Sequence, residues 1–509
     1  MKKLKNLFLP FIILAAFLLG ARMILAGDFF YLFDQARDYL LIKNIVDTHT
    51  LALIGTHSGL GGFFHGPFWL YMLAPVYILF GGNPFSFAYF YILLELVTVF
   101  VAYIVGARLY GQKPGAIISL LAALSPVVWN SVPNTIGVNV EPLVFLGLFY
   151  FLIKYLRGDS KSFVFASFFA GLTLQFETAL PLVLIPSMVI AFFLNKKAVK
   201  NFKIMILGIF AYILSVSSFI LFDLRHQFLM TKAVLGAFGG GEKGKGYLVM
   251  KDRIIEHFGS LLGSYKSFLF SQDILLTILF GVIIVFAVFL IFQNKEKIKK
   301  EFLFLLLFPA LVYLFFIFYP YAIWPEYVFG LLIPVILAFY LALTLVWENT
   351  LGKVLVVLFF GLTLFNFGLY IGNQYLGKYQ ENTSSGSYKN QKTVVEWLYK
   401  DAGKGKFGYF VYTPETYTHG MDYLIWYYGK KNPNTFFESQ KDSITYLILY
   451  PHTSNDEGAY DFWKKNVIRT SGKILETKEF IGGITVQKLL IGDKESPVDP
   501  NYYQGLIFR

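Results

Sequence analysis

Residues 27–67 read GDFFYLFDQARDYLLIKNIVDTHTLALIGTHSGLGGFFHGP and directly follow the first apolar run of membrane-spanning length. Asp34 and Asp38 are four positions apart, so a helix that begins near Phe33 places both carboxylates on one face. Ionisable groups held beside a bilayer are costly to maintain and are functional candidates by default. The stretch therefore predicts a polar helix at the membrane surface that carries candidate functional acids.

The composition on both sides of this stretch is that of a multi-pass membrane protein. Of 509 residues, 56% are hydrophobic and 19% are aromatic, and the mean hydropathy is +0.57. Apolar runs of about 20 residues, enough to cross the hydrocarbon core, recur up to about residue 372, and the chain is polar after that. We expect a polytopic α-helical membrane domain at 1–373 and a small C-terminal α/β domain at 374–509, in which residues 474–490 form a hairpin through Gly482 and Gly483. The chain has no cysteine, which excludes disulfides and thiolate chemistry.

The positions of Lys and Arg predict the orientation in the cell membrane. The net charge of +12 comes largely from basic residues in short loops, which the positive-inside rule places in the cytoplasm, so nucleic acid is not an expected partner. One path keeps these loops inside, with residues 28–83 and the C-terminal domain outside. It requires the apolar piece at 67–80, interrupted by Pro75, to be interfacial or re-entrant. The eleven predicted spans are 7–27, 84–107, 114–130, 141–156, 162–175, 179–194, 202–222, 273–293, 302–319, 326–346 and 353–372.

Acidic residues gather at the predicted outer ends of the spans. Glu141, Glu177 and Glu326 lie in or beside outer loops that contain no Lys or Arg, on the side that carries Asp34 and Asp38. The long outer loop at 223–272 contains GAFGGGEKGKG at 236–246, which lacks the Lys-Ser/Thr ending of a phosphate-binding loop. Two interpretations remain for this loop: a mobile connection, or a lid that closes over a lipid-linked substrate.

The two acids of the first outer loop each have a structural alternative to catalysis. Asp34 precedes an amphipathic run, so it is either a catalytic acid or the N-cap that satisfies backbone N–H groups. Asp38 is either a second catalytic acid or a carboxylate paired with Arg37 or Lys43. His65, after a glycine-rich turn, is either structural or a group that meets a phosphate or a metal.

The remaining candidates lie further along the chain. Glu141 and Glu177 are candidates for positioning the donor or the acceptor, but Glu141 precedes Pro142 and fits a helix start equally well. Arg225 and His226 follow a predicted span. Either the two residues bind a phosphate, or Arg225 is a cation whose side chain extends to the membrane surface beside His226.

Motifs in this region carry a resemblance to a known superfamily. The layout consists of a first span, an outer loop with an acid near its start, the motif HGP-x-x-x-Y-x-x-x-P at 65–75 and the turn FGGNP at 80–84. It resembles that of the GT-C glycosyltransferases, which use polyprenyl-phosphate sugars. The nearest resemblance is to bacterial protein O-mannosyltransferases and the aminoarabinose transferase of lipid A, over about residues 1–370. It implies that Asp34 takes the place of the first-loop catalytic acid and Glu141 that of the second-loop acid. Gln35 departs from the adjacent Asp-Glu pair common in those enzymes.

The expected chemistry agrees with the predicted topology. Nucleotide sugars are absent outside the cell, so a sugar donor must arrive on a lipid carrier such as a polyprenyl phosphate. Asp34 would remove the proton of an acceptor hydroxyl on a protein, lipid or glycan, and Arg225, with or without His65, would stabilise the departing phosphate in an inverting displacement. No cofactor is assigned, and a divalent metal stays open because Asp34 and His65 supply too few ligands. A flippase for a lipid-linked saccharide and a glycan ligase or polymerase are the alternatives.

Overall fold

The structure is a computed structural model. Parts of the predicted basic loops at 196–203 and 295–300, and most of the glycine-rich piece at 236–246, lie outside the described residues. The described residues are 8–58, 62–131, 134, 136–194, 202–238, 248–269, 273–293, 299–375, 383–414, 417–452, 458–492 and 495–506.

Apolar helices make up most of residues 8–375, because few charged side chains interrupt the hydrophobic runs. In the described part of the chain, five helical stretches are long and apolar enough to cross a membrane, or six if the pair bent by 64° between Ser215 and Ser217 is one span. The chain is therefore an integral membrane protein, whereas the count of eleven spans stays a prediction. The helices are α1 (Phe8–Leu25), α2 (Phe33–Thr48), α3 (Phe68–Phe80), α4 (Pro84–Tyr110), α5 (Gln112–Ala123), α6 (Pro126–Ser131), α7 (Glu141–Leu156), α8 (Ser162–Thr173), α9 (Ala179–Leu194), α10 (Phe202–Ser215), α11 (Ser217–Arg225), α12 (Leu229–Phe238), α13 (Met250–Leu269), α14 (Ile274–Gln293), α15 (Lys299–Phe316), α16 (Leu332–Val346) and α17 (Thr350–Tyr375).

Two predicted stretches fold differently from expectation. The predicted span at 114–130 is divided into α5 and α6, and the Ser125 hydroxyl at the break donates a hydrogen bond to the Phe268 carbonyl at 2.6 Å. The predicted outer loop at 223–272 contains the helices α12 and α13. Helix α13 escaped prediction because its charged residues lower its hydropathy, yet Arg253 and His257 are buried against the rest of the molecule.

Helix α3 is the apolar piece that we expected not to cross the membrane. It has 13 residues, and at about 1.5 Å per residue it reaches about 20 Å, short of the roughly 30 Å hydrocarbon core. It ends at Gly81 and Gly82, both with positive φ, and the Asn83 side chain accepts a hydrogen bond from the Phe85 N–H to begin α4. The length of α3 supports the interfacial interpretation.

The C-terminal region forms the predicted small α/β domain. Its five strands are ordered β2-β1-β3-β5-β4, with β1 parallel to β2 and β3, and β5 antiparallel to β3 and β4. The predicted hairpin is confirmed, and its turn contains Gly482 and Gly483, both with positive φ. The elements are α18 (Tyr388–Ala402), β1 (Gly405–Tyr412), α19 (His419–Gly429), β2 (Thr435–Glu438), β3 (Ile444–Leu449), α20 (Ala459–Phe462), β4 (Lys473–Glu479) and β5 (Thr485–Leu490).

This domain is hydrogen-bonded to the segment that leads into α2. The Tyr31 N–H donates to the Gly386 carbonyl at 2.7 Å, and the Gln391 amide donates to the Tyr31 carbonyl at 2.6 Å. The Ser387 hydroxyl donates to Asp28 Oδ1 at 2.6 Å. The start of α2, where Asp34 lies, is therefore held by both parts of the chain.

Candidate active site

A cavity of about 300 Å³ opens beside the first two turns of α2. Its walls come from α2, residues 55–57, residues 65 and 66, the start of α3, residues 134 and 136–138, residues 175–177 and the turn at 324–327. Four of the predicted site residues, Asp34, Asp38, His65 and Glu177, line this one cavity. The charged, histidine and amide side chains that line it are Asp34, Gln35, Arg37, Asp38, His57, His65, Asn134, Gln175, Glu177 and Glu326.

Asp34 is a partly exposed acid of this cavity, paired with an arginine. The N-cap of α2 is Leu32, whose N–H donates to Gln35 Oε1 at 2.9 Å, so the interpretation of Asp34 as the N-cap is wrong. Asp34 lies inside the first turn, and its Oδ1 is 2.6 Å from Arg37 Nη1. Its side chain is 39% exposed, so the carboxylate remains accessible to a substrate.

Asp38 lies one turn further along α2 and is buried. Its Oδ2 accepts a hydrogen bond from the Trp69 indole N–H at 2.9 Å, and its Oδ1 is 3.2 Å from Arg37 Nη2. Burial raises the pKa of Asp38 to about 6, although Arg37 and the Trp69 bond act in the opposite direction. Arg37 thus bridges an exposed acid and a buried one.

Gln35 links two loops of the cavity. Its side-chain amide donates to Asn134 Oδ1, and the Asn139 amide donates to the Asn134 carbonyl at 2.6 Å. An acid at position 35 could not donate this bond while ionised. The neutral side chain therefore joins α2 to the segment before α7, and the nearby second acid is Asp38 instead.

Glu177 forms the opposite wall of the cavity together with Glu326. Its Oε1 accepts hydrogen bonds from the N–H groups of Thr178 at 2.7 Å and Ala179 at 3.1 Å, at the start of α9. Burial raises the pKa of Glu177 to about 7, and these backbone bonds lower it by less. The buried Glu177 carboxyl therefore holds a proton more readily than an exposed glutamate does.

Glu141 is fully buried and is not one of the residues that line the cavity. Its Oε2 accepts a hydrogen bond from the Gly330 N–H at 3.2 Å, and its Oε1 has no hydrogen-bond partner in the described part of the chain. The carboxyl lies close enough to Glu177 for the two to interact electrostatically. Glu141 thus lies behind the part of the cavity wall that carries Glu177. Pro142 lies in the first turn of the same helix.

His65 lines the cavity as a neutral imidazole. Burial lowers its pKa to about 3, and the positive charge of Arg37 acts in the same direction. Its Nδ1 has no hydrogen-bond partner among the described residues. At neutral pH it can hydrogen-bond to a substrate, but it brings no positive charge to a phosphate.

Gly66 is the position where the loop at 55–66 approaches Gln175 most closely. A Cβ atom here would lie 2.7 Å from the Gln175 Cα, so Gly66→Ala is expected to displace the wall that carries Glu177. Overpacking of this kind costs about 1–3 kcal/mol, which we expect as a lower melting temperature and a smaller monodisperse fraction in detergent. The matched variant Gly259→Ala, whose Cβ meets nothing within 4 Å, should melt at or above the wild-type temperature, because alanine favours a helix interior more than glycine does. Equal melting temperatures for both variants would contradict the close packing of Gly66.

Arg225 and His226 lie apart from the residues that line the cavity. Arg225 ends α11, and the His226 Nδ1 is 2.8 Å from the Phe222 carbonyl, with its ring stacked on that of Phe222. Their phosphate-binding role stays a prediction that the cavity does not support. Within the described residues, Arg37 is the one Arg or Lys of the cavity wall.

The donor set does not fit a metal ion. No group of three or more His, Asp and Glu side chains that could hold one occurs in the ranges that the structure describes. Asp34 and Asp38 are both engaged by Arg37. We therefore derive no step that uses a metal.

Sequence reasoning missed two groups that hold the acids in place. In the sequence Trp69 is one member of an apolar run, and the pattern does not signal what its indole N–H contacts. The sequence interpretation pairs Arg37 with Asp38, although the three-residue spacing between Asp34 and Arg37 also predicts an ion pair on a helix.

Comparisons with known proteins agree with this architecture. Residues 64–222 match the family model of dolichyl-phosphate-mannose-protein mannosyltransferases. The crystal structure of ArnT from Cupriavidus metallidurans bound to undecaprenyl phosphate matches with a TM-score of 0.57 and 11% identity, over 95% of this chain and 97% of ArnT. The family model covers less than half of the chain and shows a similarity to that family, and the likeness to ArnT shows a shared fold. The GT-C resemblance of the sequence is thereby confirmed.

Two further structures extend the comparison. ArnT from the same organism in the apo state matches this chain with a TM-score of 0.57 and 12% identity, over 95% of this chain and 97% of ArnT. The oligosaccharyltransferase of Archaeoglobus fulgidus in complex with Zn and sulfate matches with a TM-score of 0.50 and 11% identity, over 90% of this chain and 69% of that one. Comparison with curated proteins gives no match. At these identities the structural likeness shows the shared fold.

Proposed function

We propose that this protein transfers a sugar from a polyprenyl-phosphate donor to an acceptor hydroxyl at the outer face of the cell membrane, with inversion. The observation that carries the proposal is the pair formed by Asp34 and Arg37, in which a half-exposed carboxylate and a cation share one cavity beside apolar helices. The match to a protein bound to undecaprenyl phosphate supports a lipid-linked donor.

In this mechanism Asp34 is the general base. The acceptor oxygen attacks the anomeric carbon, its proton passes to an Asp34 oxygen, and the bond between the anomeric carbon and the phosphate oxygen breaks. The products are the glycosylated acceptor and the polyprenyl phosphate. A base positioned in this way typically contributes about 10²–10⁴-fold to the rate.

Arg37 has two roles in the proposal. Its contact with Asp34 Oδ1 leaves Oδ2 of that carboxylate to face the acceptor. Its charge is also the nearest positive charge in the cavity wall for the oxygen that leaves with the phosphate. The contact with Asp38 fixes the guanidinium from the buried side.

In this proposal the other acids that line the cavity and the His65 imidazole bind hydroxyl groups. Glu177, Glu326 and the neutral His65 all line the cavity, and such groups are suitable partners for the hydroxyls of a sugar or an acceptor. Glu141 acts through Glu177, which it supports from behind.

The activity is expected to fall as the pH decreases through about 6. Asp38 holds Arg37 through its negative charge, which the carboxyl carries only when it is ionised. Because the pKa of Asp38 is about 6, protonation near this pH removes the negative charge. Trp69→Phe removes the hydrogen bond that favours the ionised form, so the acidic limb of the kcat profile should move to higher pH. A limb that stays in place in this variant would show that another group causes it.

The experiment that tests the function uses the purified full-length protein in liposomes with a labelled polyprenyl-phosphate sugar and candidate acceptors. We expect a new glycosidic bond and stoichiometric release of polyprenyl phosphate. Movement of the intact labelled lipid between leaflets without bond formation would overturn the proposal in favour of a flippase. Transfer only from donors that carry preassembled glycans would assign a ligase or polymerase.

A further inference from the structure

The end of α3 exposes three consecutive large apolar side chains. Ile78, Leu79 and Phe80 are 64%, 76% and 61% exposed, and we call these residues the apolar tip. A contiguous patch of this kind marks a surface that contacts protein or lipid rather than water. After the turn at 81–83 the chain enters α4. Whether the apolar tip contacts lipid therefore depends on where α4 begins relative to the membrane.

Helix α4 fixes the depth of the apolar tip in the membrane. It has 27 residues, and at about 1.5 Å per residue it reaches about 40 Å, which matches the bilayer with its headgroup regions. Its two ends must therefore lie at the two membrane surfaces. The turn at 81–83, immediately before α4, lies at one of these surfaces together with the apolar tip.

The C-terminal domain places lysines and aromatic rings at this same turn. The Lys430 Nζ donates a hydrogen bond to the Gly81 carbonyl at 3.1 Å and lies 3.9 Å from the centre of the Trp426 ring. The Lys43 Nζ, from the last turns of α2, lies 5.1 Å from the same ring. Tyr77 of α3 stacks on Trp426 with ring centres 6.1 Å apart. We call Lys43, Tyr77, Trp426, Lys430 and Lys431 the lysine–tryptophan cluster.

The balance of charge in this cluster is positive. Asp47 offsets Lys43, since its carboxylate is 3.1 Å from the Lys43 Nζ and also accepts a hydrogen bond from the Tyr77 hydroxyl at 3.0 Å. The three lysines of the cluster thus face the single carboxylate of Asp47, which interacts with both Lys43 and Lys430. Trp and Tyr rings prefer the headgroup region, and lysines there attract anionic lipids.

We infer that the lysine–tryptophan cluster binds the headgroup of an anionic phospholipid while the apolar tip inserts among the acyl chains. The C-terminal domain therefore rests on the membrane surface at the turn before α4. Helix α2 connects this contact to the cavity, because Lys43 and Asp34 lie on the same helix. The inference concerns membrane contact alone and holds whether or not the proposed sugar transfer is correct.

The first test uses the absence of cysteine in the chain. Leu79→Cys and the control Leu475→Cys, on a strand of the C-terminal domain and 47% exposed, each receive one nitroxide label in the full-length protein in nanodiscs. The label at position 79 should be relaxed more strongly by oxygen than by a water-soluble nickel chelate, and the label at 475 should show the reverse. Equal access of the nickel chelate to both labels would overturn the insertion of the apolar tip.

The second test addresses the headgroup. Trp426 fluorescence, obtained as the difference between wild type and Trp426→Phe, is measured in nanodiscs with brominated phosphatidylglycerol or brominated phosphatidylcholine. We expect quenching by the anionic lipid to be at least about twofold stronger. Lys430→Gln with Lys431→Gln should abolish the preference, whereas Lys404→Gln with Lys406→Gln, which changes the net charge equally, should retain it.

A control variant separates folding from lipid binding. Lys430 also holds the Gly81 carbonyl, so its loss can alter the turn itself. Lys431→Gln alone, whose lysine lies over the Tyr427 and Tyr428 rings, should weaken the preference with an unchanged melting temperature. Equal quenching by both lipids in the wild type would overturn the headgroup assignment.

Discussion

Asp34→Asn is expected to reduce kcat for sugar transfer by about 10²–10⁴-fold, the range for loss of a general base. The substitution keeps the shape of the side chain and removes the charge and the basicity. The KM for the lipid donor should change little, because Asp34 faces the acceptor hydroxyl in the proposed mechanism. Steady-state kinetics with the reconstituted protein measure both quantities.

The matched control for this variant is Asp159→Asn. Asp159 is 41% exposed and pairs with the Lys154 Nζ at 3.1 Å, so the chemical change, the exposure and the lost ion pair resemble those at Asp34. It does not line the cavity, and its loss should leave kcat unchanged. Turnover of Asp34→Asn at the wild-type rate, in protein with a normal melting temperature, would eliminate Asp34 as the base.

The sequence was sufficient for the elements whose signal is local. The spacing of Asp34 and Asp38 predicted α2 and their common face, and the glycine pair in the polar C-terminal region predicted the β4–β5 hairpin. Long apolar runs predicted the five helical stretches that are long and apolar enough to cross a membrane among the described residues, since a bilayer requires uninterrupted hydrophobic length. These features depend on residues that are close together in the chain.

The features that the sequence could not give depend on distant contacts. Glu177 faces α2 across the cavity only because helices far apart in the chain pack together. Trp69 reaches Asp38 from α3, and a pattern of hydrophobic residues does not reveal where one indole N–H points. Helix α13 was missed for a related reason, because Arg253 and His257 are buried against other elements and make its sequence resemble a polar loop.

The C-terminal domain is best understood as part of the site architecture. Gly386 and Gln391 hold Tyr31, and the Tyr423 hydroxyl donates to the Gly82 carbonyl at 2.6 Å. These contacts reach both the entrance of α2 and the end of α3, the two helices that carry Asp34 and Trp69. The position of Asp34 therefore depends on the domain, although none of the described residues of that domain lines the cavity.

Arg37→Gln is expected to reduce kcat by about 10²–10³-fold, because it removes the cation of the cavity and the contact that orients Asp34. It also leaves Asp38 buried without the charge that lowers its pKa, so the acidic limb should move above pH 6. Arg225→Gln is the matched comparison, since Arg225 lies away from the cavity and its loss should change kcat less than about twofold. A larger loss in Arg225→Gln than in Arg37→Gln would place the phosphate at Arg225 instead. Arg37→Lys should recover only part of the rate, because an ammonium group cannot contact both acids with the planar geometry of a guanidinium.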